Sequence, residues 1–218
     1  GLTDILALTL LIRSFNWAIA SVLTELFENK YGKGVVVSRL DDLEALGQVM
    51  AGVNGVIYVV VKTTESALAA VAKHSLVKRV VLMSSAFAAV IPIPDKKGVY
   101  VDETTFNDDA IKAAWDPNTP KEIKLGCVYA ASKTEGERAA WKWVEEHKPA
   151  YTFNTILPNF TTGEILYPEI SGSTMGFVRD VLKGQGDMLL AFMLQRYVDV
   201  VDVARLHAIA LLANLVEL

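Results

Sequence analysis

Apolar residues fall along this chain in two recurring patterns: short unbroken runs, and longer stretches with helical spacing. Leu6–Ile12 is the first unbroken run; Val35–Val37, Gly55–Val61, Val80–Met83 and Thr152–Leu157 follow. Runs of this length without polar alternation predict strands buried on both faces, as in a parallel sheet. Between them apolar side chains recur every three or four residues. Ile19, Leu23, Leu26 and Phe27 mark a helix from about Trp17 to Asn29. Leu43, Leu46, Val49 and Met50 mark a second, with Asp41 as its expected N-cap and Gly52 as its stop. Glu65 to His74 makes a third. Strand and helix in alternation predict βαβ units with right-handed crossovers, an α/β doubly wound parallel sheet.

Ala88 to Gly126 carries Pro92, Pro94, Pro117 and Pro120 and predicts a long irregular segment, a length that usually serves function. A helix then opens at Tyr129 and runs through Trp141 and Trp143 to Glu146. Beyond Pro158 and Asn159 comes Gly- and Ser-rich chain, Gly163 to Gly176, then a helix from about Phe177 to Lys183, a strand at Tyr197–Val200 and a helix from Val201 to Leu212. The expected division is a core over residues 1–158 and a second region, 159–218, whose last strand and helix return to it. Ligands of open parallel sheets bind beyond the carboxyl ends of strands, where Ser84 and Ser85 stand.

With 218 residues, 52% hydrophobic and 21% charged, the chain is long and apolar enough for a substantial core. A net charge of −4 gives no reason to expect nucleic acid or an anionic membrane as partner. Cys127 is the single cysteine, so no internal disulfide can form, and the default is a reducing cytoplasm with Cys127 as packing. His74, His147 and His207 fall at no metal-ligand spacing, so no metal is expected. The apolar run before Arg13 is too short to span a bilayer, and Asp4 stands where a secretion signal would carry positive charge. Trp141 and Trp143 fit core or a dimer face, leaving monomer and homodimer both open.

Tyr129 and Lys133 are four residues apart and project from one helical face. An ammonium beside a phenol favours the phenolate, and such a pair can pass a proton to or from a carbonyl or alcohol oxygen. Spacing alone is weak; the surrounding blocks are not. Val77–Ala86 (VKRVVLMSSA), Tyr100–Thr104 (YVDET), Val128–Glu135 (VYAASKTE), Ala139–Lys142 (AAWK), Leu157–Phe160 (LPNF), Gly172–Thr174 (GST) and Tyr197–His207 (YVDVVDVARLH) follow in order. Together they resemble the extended short-chain dehydrogenase/reductases, in wording similar to the fungal carbonyl and aldehyde reductases and the plant dihydroflavonol reductases. The resemblance is nearly continuous from Val77 to Leu212 and implies a Rossmann-like sheet.

It also implies roles. Tyr129 would be the general acid that protonates a carbonyl oxygen as hydride arrives, Lys133 would assist it and hold the nicotinamide ribose, and Ser85 would donate a hydrogen bond to the same oxygen. Ser84, Pro158, Asn159 and Ser173 would lie along the cofactor, with Phe87, Phe160 and Gln195 toward the substrate. The implied activity is NAD(P)H-dependent reduction of a small aldehyde or ketone, with NADPH expected over NADH.

The first sixty residues depart from the family pattern. Its glycine fingerprint, Thr-Gly-Ala-x-Gly-Phe-Ile-Ala-Ser, aligns with Arg13 to Ser21 and places Ser14, Asn16 and Ala20 at the pyrophosphate. Ser14 and Trp17 replace the two glycines, and an indole at Trp17 is expected to fill space that phosphate needs. There is room for one strand fewer before Val35, and the chain stops at Leu218, before most of the family's C-terminal substrate lobe. Weak cofactor binding is therefore expected. The alternative is a cofactor-free relative, a binding or scaffold protein or a non-redox acid–base enzyme; a sugar-nucleotide epimerase or dehydratase is a further one.

Overall fold

The computed structural model describes residues 8–12, 32–36, 42–58, 64–93, 96–165, 172–187, 189 and 196–212. The predicted helix at 17–29, the fingerprint stretch 13–21 and the end of the third run, 59–61, lie outside them.

Strands β1 (Leu8–Ile12) and β2 (Gly32–Val36) pair in parallel, Leu8 opposite Gly32. Strands β3 (Gly55–Tyr58), β4 (Arg79–Met83) and β5 (Thr152–Ile156) form a parallel sheet in that order, with Val80 opposite both Val56 and Phe153. A third parallel pair joins β6 (Phe160–Thr162) to β7 (Tyr197–Asp199). The unbroken apolar runs thus become parallel strands, and the architecture is α/β and Rossmann-like.

Helices α1 (Leu43–Val49) and α2 (Thr64–Ala72) sit against the central sheet. Leu46, Leu68, Val71, Val77, Val80 and Leu82, all buried, form the heart of its core with Phe153 and Ala140. Helix α6 (Val200–Leu212) returns to pack on β3, β4 and β5. Its approach to β3 is close enough that a Cβ on Gly55 would come within 2.9 Å of Leu211 Cδ2. Gly163, at φ 142°, is held more tightly still, since a Cβ there would meet Val200 Cγ1 at 2.5 Å.

Five sequence expectations need correction. Asp42, not Asp41, caps α1: its Oδ1 accepts from the amides of Glu44 (3.1 Å) and Ala45 (3.0 Å), and the helix ends before Gly52. The segment expected to be irregular contains α3 (Asp108–Trp115), capped by Asn107 and begun by two aspartates that suit a helix N-terminus. The Tyr129 helix, α4 (Lys121–His147), begins eight residues earlier than predicted. Pro120 precedes its first turn, where a missing N–H breaks no helical bond, so the proline that read as a breaker marks a start. Helix α5 (Ser173–Leu182) likewise begins within the Gly- and Ser-rich stretch, after Gly172 at φ 66°. The predicted strand at Tyr197 is shorter by one residue, and β6 had no signal long enough to read.

No helix among the described residues is long and apolar enough to cross a membrane, and none of their His, Cys, Asp and Glu side chains group to hold a metal.

Candidate active site

The site forms where β4 and β5 end. The ladder continues past the regular strands: Ser84 N–H donates to the Ile156 carbonyl (2.8 Å) and Ala86 N–H to that of Pro158 (3.0 Å). Between these two bonds Ser85 stays extended, at φ −158° and ψ 147°, and then caps a single 3-10 turn, Ala86–Ala88. Its Oγ accepts from Phe87 N–H at 3.3 Å. That bond uses a lone pair and leaves the hydroxyl proton of Ser85 free to donate.

The turn is pinned from outside. Asn107 N–H donates to the Ala88 carbonyl (2.8 Å) and its side-chain amide to that of Phe87 (2.9 Å), while its Oδ1 caps α3 through Ala110 N–H (3.0 Å). Thr134 of α4 is fully buried, and its hydroxyl lies between the carbonyl oxygens of Ala88 (3.1 Å) and Ala130 (2.8 Å). Helix, turn and strand end are therefore tied through backbone groups, which fixes the register of α4 over the end of β4.

That register brings Tyr129 and Lys133 to the same place. Tyr129 keeps 48% of its surface exposed and sets its ring edge-on to Phe87, with centroids 6.2 Å apart. Lys133, one turn on, is buried, and its Nζ lies 3.5 Å from the Met83 carbonyl at the last residue of β4. Burial holds its ammonium below the ordinary lysine value, and the negative charge of Glu137 pulls it back up. Glu137 is itself buried and accepts a 2.6 Å hydrogen bond from Ser84 Oγ. The hydroxyl proton of Ser84 is thus committed to a carboxylate, while that of Ser85 is not.

Of the residues singled out in sequence, Ser84, Ser85, Phe87, Tyr129 and Lys133 converge here, and Pro158 joins through its carbonyl. Asn159 turns inward on its own backbone, its Oδ1 accepting from Phe160 N–H at 2.8 Å. Phe160 is buried in β6, with its ring edge-on to Tyr197 at 5.2 Å. Ser173 opens α5, which is tied to β6 by Thr174 Oγ1 donating to the Thr161 carbonyl at 2.5 Å. Ser14, Asn16, Trp17, Ala20 and Gln195 lie outside the described residues. Cys127 is buried, as is His207. Three residues of the site escaped the sequence reading: Asn107, Thr134 and Glu137. Glu137 alone had a signal, since it continues the four-residue spacing of Tyr129 and Lys133.

No model of a known protein family matches the chain. It is 41% identical over 217 residues to ketoreductase adrE of Penicillium rubens, a match covering 88% of this chain and 61% of that protein. Over 147 residues it is 46% identical to aldehyde reductase 2 of Sporidiobolus salmonicolor, covering 66% of this chain and 43% of that one. The solved structure of the yeast methylglyoxal/isovaleraldehyde reductase Gre2, complexed with NADPH, superposes with a TM-score of 0.73 over 96% of this chain and 68% of its own, at 20% identity. That last likeness is one of fold. The chain spans 61% and 62% of the lengths of the ketoreductases adrE and nvfG that it matches. Sequence relatives and fold agree: the chain belongs to the extended short-chain dehydrogenase/reductases.

Proposed function

We propose that this chain reduces a small aldehyde or ketone to the alcohol, with NADPH as the reductant. The observation that carries the reading is the pairing of a half-exposed Tyr129 with a buried Lys133 ammonium on one face of α4, over the strand end that presents Ser85. The reductases named above act on substrates of this class by their names, and Gre2 was solved with NADPH.

The chemistry assigned to each residue follows from its hydrogen bonds. Ser85 has a proton to give and Ser84 does not, so Ser85 polarises the carbonyl oxygen. Tyr129 gives that oxygen its proton. Its exposure leaves it a route to recover one from solvent. Lys133 makes one long hydrogen bond with an ammonium that has three N–H groups, so donors remain for the hydroxyls of a nicotinamide ribose. The strand-end residues therefore fit the nicotinamide end of a dinucleotide, with Pro158 and Asn159 beside it. When bound, the nicotinamide supplies the hydride. Phe87, edge-on to Tyr129, gives the substrate an apolar wall.

Titration with NADPH and NADH, followed by nicotinamide fluorescence, tests this directly. The expected result is saturable binding, weak because Ser14 and Trp17 replace glycines, and tighter for NADPH. No binding up to about 1 mM cofactor, the upper end of ordinary KM values, overturns the reading and favours a cofactor-free protein.

A further inference from the structure

The mechanism above makes no use of the buried Glu137. Resting on the reductase reading, we propose that Glu137 is a positioning residue for Lys133: anchored by Ser84, its carboxylate is a fixed negative charge one helical turn from the Lys133 amine at the end of β4.

A carboxylate taken out of water is costly unless it is paired and hydrogen-bonded. Glu137 retains 6% of its surface and Ser84 retains 6%, so their 2.6 Å bond is sheltered from water and short, as charge-assisted bonds are. Ser84 cannot swing away, because its own N–H is held by the Ile156 carbonyl at 2.8 Å. The carboxylate is therefore fixed to the strand end and not merely to its helix. Lys133 lies one turn toward Tyr129 on the same face, and Tyr129, Lys133 and Glu137 form a line at four-residue spacing.

Lys133 and Glu137 form no direct hydrogen bond or ion pair, so Glu137 acts through its charge across one helical turn. The ends of β4 and β5 carry only neutral side chains here, Met83, Ser84 and Ser85 on one and Ile156, Leu157 and Pro158 on the other. The 3-10 turn Ala86–Ala88 adds none. From α3, Asp108 pairs with Arg138 at 2.6 Å and is turned to solvent. On α4 itself the titratable neighbours of Lys133 along its face are Tyr129 and Glu137. Burial alone would favour a neutral amine, and Glu137 is the charge that opposes this. A neutral amine would neither support a phenolate nor donate as strongly to a ribose.

The test is Glu137→Gln, which keeps the size and an oxygen for Ser84 to bond but removes the charge. The lysine side-chain resonances are titrated by NMR, with Lys133→Met used to assign the Lys133 signal. The midpoint of Lys133 is expected to move to lower pH in Glu137→Gln. Ser84→Ala, which frees the carboxylate from its anchor, is expected to move it in the same direction by less. An unchanged midpoint in these variants overturns the proposal, as does a fall in Tm with the midpoint unmoved, which marks a purely structural tie. If Glu137→Gln does not fold, Ser84→Ala decides by the same criterion. A chain that oxidises no NADPH sinks the reductase reading, and the NMR titration still decides the role of Glu137.

Discussion

The two halves of α4 belong to one continuous helix and do opposite things. From Lys121 to Tyr129 it leaves apolar side chains in solvent, with Ile123 53%, Leu125 73%, Val128 47% and Tyr129 48% exposed. From Ala140 to Val144 it is built into the core. Ala140 is fully buried, Trp143 and Val144 pack on the central cluster, and Trp141 meets Phe153 edge-on at 4.8 Å. Between the halves lies a buried polar belt, Lys133, Thr134 and Glu137. The division shows how a side chain can be exposed and still be placed. Packing at one end fixes the helix, hydrogen bonds at the belt fix its register, and the other end then presents Tyr129 without needing to bury it.

If the halves are separable in this way, mutations in each should move different quantities. Tyr129→Phe removes one exposed hydroxyl and should lower kcat/KM by about 100- to 10,000-fold, the usual worth of a general acid. Thermal stability should hold within about 0.5 kcal/mol, as for other surface changes. NADPH oxidation and a melting curve check both, and near-native activity would remove Tyr129 from its role. Phe153→Ala strikes the other half. It should cost about 3–5 kcal/mol of stability by emptying core volume and stripping Trp141 of its partner. Denaturant unfolding reads that loss. The folded fraction should keep kcat/KM, and a drop as large as that of Tyr129→Phe would show that the two halves are not separable.

The strands on which the packed half rests were the easier part to read in the sequence, while Trp141 and Trp143 themselves fitted core or a dimer face. Unbroken apolar runs such as Val80–Met83 have few ways to be buried, and Ser84 and Ser85 stood out as polar residues at the end of one. Tyr129 and Lys133 were legible through the blocks around them. The burial of the belt was not, because burial of a polar or charged residue depends on what faces it. In sequence, Glu137 continues the four-residue spacing of Tyr129 and Lys133, but its burial becomes visible only with the approach of Ser84 from the end of β4. Asn107 and Thr134 were hidden for the same reason, since their partners are backbone carbonyls of Phe87 and Ala88. The start of α4 was obscured by Pro117 and Pro120, whose meaning reverses at a helix N-terminus.

The belt supplies a subtler test. Lys133 is held below its ordinary value of 10.5 by burial. Between its folded-state value and 10.5 the unfolded chain binds more protons than the native one, so this residue makes stability rise with pH across that window. Below the window the native state carries the full cost of a buried charge. Lys133→Met should therefore be less pH-sensitive than the native chain in alkaline solution and relatively more stable at neutral pH. Denaturant midpoints measured from neutral to alkaline pH give the difference. Parallel pH profiles would mean that Lys133 is effectively solvated.

The smallest expected effect lies on the outer side of the belt, where Arg138 meets Asp108 at 2.6 Å and covers the Phe106 ring at 4.8 Å. Both charged side chains are well exposed, and exposed pairs contribute about 0.2–1 kcal/mol, less at high salt. Asp108→Asn should therefore cost no more than this and become silent in high salt. It removes part of the charge at the start of α3 as well, but the Asn107 cap remains. Arg138→Leu should cost less than an ion pair alone predicts, because a leucine can keep the contact with Phe106. A double-mutant cycle between the two positions, read by denaturant unfolding at low and high salt, separates charge from packing. A coupling that survives high salt would place this pair with the buried belt and push the boundary between the two halves of α4 outward to its surface.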